Sequence, residues 1–108
     1  MSLKSRIATG LAVLTLGWAG HALAAETVIN QAGKKFDQKK VTINAGDSIK
    51  FVNNDKVAHN VHSTSKGAKF DLGAQKPGSS SSYKFAKAGK YKVRCAIHPK
   101  MKLKVTVK

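Results

Sequence analysis

The sequence predicts an all-β domain, a sandwich or small barrel of seven or eight short strands, and three observations predict it. After residue 25 apolar residues recur at every second position, the spacing that gathers them on one face of a strand. Turn-forming residues interrupt these runs about every 8–12 residues, as in sandwiches and small barrels. No stretch of this region carries a convincing helical period.

The elements follow in order. Val28 with Ile29, extended to Phe36, supplies the first strand. "VTINAGDSIKFVNND" places Val41 and Ile43, then Ile49 and Phe51, on either side of an Ala45-Gly46-Asp47 turn, so it reads as two half-buried strands. "HNVHSTS" is another short strand around Val61, and "KFDLG" carries Phe70 and Leu72 on one face. Pro77-Gly78 is a turn, and the serines at 79–82 lead into a strand with Tyr83 and Phe85. Gly89 breaks that run, after which Tyr91, Val93 and Cys95 alternate. The last segment sets Leu103, Val105 and Val107 against Lys102, Lys104, Thr106 and Lys108, the clearest one-sided strand of the chain. Lysines at alternate outward positions are expected to discourage edge-to-edge pairing.

The N-terminus sets the compartment. "MSLKSRIATGLAVLTLGWAGHALAAE" has a basic start at Lys4 and Arg6, an apolar run from Ile7 to Trp18, and small residues before Ala22-Leu23-Ala24. That is the pattern of a secretory signal peptide cut before Ala25. Its apolar core falls short of the roughly 20 residues of a spanning helix, so no stable membrane insertion is expected after cleavage. Residues 1–24 are therefore expected to be removed, leaving one exported, periplasmic domain over 25–108, monomeric by expectation. A domain this small buries only ~60–65% of its unfolded surface, and exported ones normally add disulfides. With a single cysteine that route is closed, and Cys95 is a free thiol in an oxidising compartment. Metal ligation would both protect it and stabilise the fold.

The formal charge of +15 becomes +13 once Lys4 and Arg6 leave with the leader. A field of this size favours acidic proteins, anionic lipids or other polyanions, in a salt-dependent way, without selecting among them. Nothing points to nucleic acid in particular.

The chemistry lies near the C-terminus, in "YKVRCAIHPKMKLKVTVK". Cys95 closes a strand and the next begins near Lys102, so one short loop presents Cys95, His98 and Met101, stiffened by Pro99. A thiolate, an imidazole and a thioether form a soft donor set that suits copper, whereas hard cations want oxygen. A second histidine would complete the His₂Cys set with a weak axial methionine of electron-transfer copper centres. Both His59 and His62 are available, and in a regular strand their separation points them to opposite faces.

Together, "AGDSIKFVNNDKVAHNV" and, some thirty residues later, "GKYKVRCAIHPKM" resemble the cupredoxins, the group of plastocyanin, pseudoazurin and amicyanin. The resemblance covers essentially the whole domain after the leader, and the His98–Met101 interval is most similar to the amicyanin branch. Lys100 departs from that branch, which has an apolar residue there. The resemblance implies a Greek-key β-sandwich holding one copper ion through His59, Cys95, His98 and Met101. It implies that Asn60 ties the two ligand loops together, and that the edge of His98 is the electron port. That port would be ringed by Ile97, Pro99, Lys100 and Lys102, an apolar centre with a cationic rim suited to weak docking of an acidic redox protein.

Each of these residues has a plainer reading. A lone buried cysteine is often inert core, a methionine at a strand start is usually core, and His62 reads as a solvated strand residue. Asp47 and Asp55 read as turn formers. The chain is thus expected to be a one-electron carrier and not an enzyme. The alternatives are a copper-binding protein for resistance or delivery, supported by the extra His62, and a polyanion binder working through its charge.

Overall fold

The computed structural model describes residues 23–108; residues 1–22, most of the expected signal peptide, lie outside the described residues. Nine strands follow one another: β1 (Glu26–Ala32), β2 (Lys35–Phe36), β3 (Lys40–Ile43), β4 (Ser48–Asn53), β5 (His59–Ser63), β6 (Phe70–Gln75), β7 (Ser80–Lys84), β8 (Gly89–Cys95) and β9 (Lys102–Val107). They form a four-stranded sheet in the order β2-β1-β4-β7 and a five-stranded sheet in the order β3-β9-β8-β5-β6. β1 runs parallel to β4 and β3 parallel to β9, while all other pairs are antiparallel. The expected all-β sandwich is therefore what the chain adopts. No helix among the described residues is long and apolar enough to cross a membrane.

Alternation explains the layers. Ile29, Ile49 and Phe51 of the first sheet and Val61, Val93, Leu103 and Val105 of the second are all at most 1% exposed. Each such side chain stabilises the sandwich by about 1.5–3 kcal/mol relative to exposure.

The first strand departs from expectation, and the count rises to nine. Gly33 and Lys34 both take positive φ, 59° and 58°, and form the two-residue turn of a tight hairpin. Phe36 is thereby returned against β1 as part of β2, with Gln31 opposite it. Val28 is 46% exposed, so Ile29 alone of that pair enters the core.

Two devices brace the sandwich, one at the start of β8 and one at the opposite end, where β5 and β8 carry their functional residues. Tyr91 donates its hydroxyl to Lys87 O at 2.7 Å, a tyrosine corner at the start of β8. Gly89 is required there, because a Cβ would stand 2.8 Å from the Tyr91 oxygen. Across the sheets, Gln31 Nε2 donates to Gln75 Oε1 at 2.7 Å, and Asn53 Nδ2 donates to Gln75 O at 2.9 Å and Val57 O at 3.0 Å. These buried amides fix the loop between β4 and β5, from which His59 emerges.

Candidate metal centre

His59 opens β5 and is fully buried, whereas His62, three residues on, sits half-buried on the opposite face of the strand. Cys95 ends β8, one strand over and opposite Val61. The segment from Ala96 to Met101 then turns back, closed by two backbone bonds. Met101 N–H donates to His98 O at 2.9 Å, and Cys95 N–H donates to Met101 O at 3.4 Å. Met101 is buried beneath this turn at 2% exposure, while His98 is partly exposed.

Three donor atoms converge. His59 Nδ1 and His98 Nδ1 are 3.1 Å apart, and Cys95 Sγ lies 3.7 Å from the first and 3.6 Å from the second. A point equidistant from all three lies about 2.0 Å from each, close to a metal–imidazole bond and somewhat inside a metal–thiolate bond. The two imidazole rings meet edge-on, with centroids 4.9 Å apart.

The surroundings favour a cation at that point. His59 Nε2 is 2.9 Å from Asp55 Oδ2, so the ring proton belongs on Nε2 and Nδ1 presents a bare lone pair inward. Asn60 N–H donates to Cys95 Sγ at 3.3 Å, which fixes the sulfur in place facing the two rings. Three electron-rich atoms pointed at one another repel unless a positive ion lies between them. The residues present fit a single metal ion.

Asp55 is the residue that sequence reasoning treated as a turn former. Its carboxylate is held down to about 2 by the N–H of Lys34 first, then by the His59 ring and the N–H of Lys56. Lys34 N–H reaches it at 2.7 Å from the β1–β2 turn. The spacing of Asp55 four residues before His59 was the available signal. Asn60 also differs in detail. Its backbone N–H makes the link to Cys95, while its side-chain Nδ2 donates to Asp71 Oδ1 at 2.8 Å. His62 is not in the cluster; its Nδ1 is enclosed without a partner, so the solvated reading was too simple. Around His98 the surface is formed by Lys34, Ile97, Pro99 and Lys100, with Ile97 54% exposed.

A β-sandwich with a buried thiol and two converging imidazoles defines a class, and comparison with known proteins specifies it. The chain belongs to the family of copper binding proteins of the plastocyanin/azurin type, whose model matches residues 23–108. It is a cupredoxin, and its donor set and family together fit one copper ion.

Within the family it is similar to amicyanin. It is 36% identical over 90 residues to Amicyanin-alpha of Methylorubrum extorquens, spanning 81% of this chain and 76% of that one. A methionine-to-alanine variant of amicyanin solved with Cu(I) superimposes with a TM-score of 0.71 at 27% identity, covering 76% of this chain and 81% of that chain. A purple cupredoxin from Nitrosopumilus maritimus shares the fold at a TM-score of 0.68 and 24% identity, over 76% of this chain and 99% of that one.

Proposed function

We propose that the protein is a one-electron carrier, exported to the periplasm after cleavage before Ala25, with His59, Cys95, His98 and Met101 as ligands of its copper ion. The observation that carries this reading is the spacing of His59 Nδ1, Cys95 Sγ and His98 Nδ1 around one common point. Copper, when bound, supplies a Cu(II)/Cu(I) couple. The chain supplies rigidity. Asp55 and the hairpin turn at Lys34 hold the His59 ring, and two backbone bonds hold the loop of Cys95 and His98. A site fixed in this way rearranges little when an electron arrives or leaves. Asn60 N–H sets the electron density on the sulfur, the lever by which a neighbour tunes such a centre.

His98 is the one member of the cluster with partial access to solvent, between Ile97 and Pro99, with Lys34 and Lys100 beside them, whereas Lys102, expected at this rim, lines the neighbouring face of the sheet. This is the contact for a donor or acceptor, apolar at its centre and cationic at its margin. The complex is weak and quickly exchanged, and the partner is an acidic redox protein. Copper custody drew support from His62, and that histidine faces away from the cluster. Carriage of electrons, without enzymatic turnover, is the better reading.

The test is spectroscopic. Cu(II) added to residues 25–108 gives an intense visible thiolate-to-copper band and a matching EPR signal, and Cys95→Ser abolishes both. Fast electron self-exchange with slow copper release then identifies a carrier. Weak visible absorption with rapid copper loss would leave a custody role instead.

A further inference from the structure

The outer face of the five-stranded sheet holds a basic hollow distinct from the port at His98. It is a shallow depression of about 400 Å³ lined by Lys39, Lys92, Arg94, Lys100, Lys102 and Lys104. Strand register explains its charge. Lys104 of β9 lies between Lys40 of β3 and Lys92 of β8, and Lys102 faces Arg94. Like charges set directly opposite across strands are destabilising.

Nothing within the described residues offsets them. The one ion pair there is His59 with Asp55, so no lysine or arginine meets a carboxylate. Asp71, the acid on the same sheet, lies on β6 at its far edge and is already held by Asn60 and Gly73. Edge protection does not account for the arrangement either. β8 and β9 are interior strands of the sheet, so most of these cations guard no edge.

We propose that this hollow is a docking surface for an acidic protein, which seats a convex acidic segment between β3, β9 and β8 and thereby lays its flank against the His98 loop. The proposal deepens the carrier reading and rests on it. Charge complementarity supplies the attraction, and six cations without internal partners supply the specificity for anionic side chains. Concavity favours a protruding protein segment over a flat lipid surface. The aromatic ring on β8, Tyr91, is buried, so the face offers no platform for stacking bases. Lys100 lines both the hollow and the surface around His98, which makes the two regions continuous.

The test maps hexaglutamate peptide onto the Cu(I)-loaded protein by amide NMR shifts. The expected result is saturable change at Lys92, Arg94, Lys102 and Lys104 that disappears by about 0.5 M salt. Lys92→Gln/Lys104→Gln weakens peptide binding at least about fivefold, whereas Lys50→Gln/Lys84→Gln on the other sheet changes it less than about twofold. Removing both members of the Lys92–Lys104 pair, and with them the repulsion of Lys104 against Lys40, also raises the melting temperature by about 2–4 °C, which shows that the variant is folded. Equal shifts on both sheets, or shifts confined to Ala96 and Ile97 of the His98 loop, overturn the proposal. So does tighter, Lys92-dependent binding of phosphatidylglycerol vesicles or of an oligothymidylate, which would assign the face to lipid or nucleic acid. Oxidation of the copper-loaded protein by tris(phenanthroline)cobalt(III) is measured alongside. Its failure would count against the carrier reading, while the peptide map would still decide the hollow.

Discussion

At the scale of single residues, the centre depends on a carboxylate that three donors share. Asp55 Oδ2 accepts from Lys34 N–H and lies against His59 Nε2, and Oδ1 accepts from Lys56 N–H at 2.8 Å. An asparagine has one acceptor oxygen, so Asp55→Asn turns an NH₂ group toward at least one of these donors. The His59 ring then loses its fixed orientation and proton position. Copper affinity is expected to fall about 10–100-fold, the usual effect of removing a partner that orients a ligand. Competition with a chelator measures it, and unchanged affinity would show that β5 alone holds the ring. Lys34 provides the control. Its φ of 58° is the left-handed region, which a side chain adopts at a cost. Lys34→Gly keeps the N–H that reaches Asp55 and is expected to stabilise the fold by about 0.5–1 kcal/mol, with affinity intact.

At the scale of elements, β8 matters most, since it begins at the tyrosine corner and ends at Cys95. Gly89→Ala places a methyl group against the Tyr91 hydroxyl and must displace it from Lys87 O. The expected cost is roughly 1–3 kcal/mol, from strain and the lost bond together. In a Tyr91→Phe background the obstructing oxygen is already gone, so the same substitution costs less. A double-mutant cycle by denaturant melts reads this difference, and strict additivity would refute the contact as its cause. Alternation made β8 and β9 legible in advance, because burial on one side of a strand imprints period two. The hairpin partner β2 was not legible, since two residues carry no period. The coordinating loop could be read because Cys95, His98 and Met101 are close in sequence. Asp55 and the basic hollow could not, because one depends on how the β4–β5 loop folds back and the other on which strands lie at the centre of the sheet.

At the scale of the whole molecule, export and stability meet at Asp47. This nearly buried carboxylate accepts from Ala25 N–H and from Asn44 N–H, both at 3.0 Å, and the first of these does most to hold its pKa below the ordinary 3.8. Ala25 is also where the chain is expected to begin once the signal peptide is removed. Cleavage there would turn an amide donor into an ammonium group beside the same carboxylate, converting a hydrogen bond into an ion pair. The sign of the pH dependence follows from both partners. Asp47, depressed in the folded state, contributes above its unfolded value and loses that contribution as pH falls through the lower folded one. The ion pair also needs the amino group charged, so its contribution is lost in alkali as that group gives up its proton. A chain beginning at Ala25 should therefore melt higher than one extended by Gly-Ser at its N-terminus across neutral pH. The advantage should shrink in acid below about pH 4 and again in alkali above about pH 9. Thermal melts of the two chains across that range measure it. Superimposed curves at every pH would mean that the new terminus turns away from Asp47, and that removal of the leader leaves the stability of the sandwich unchanged.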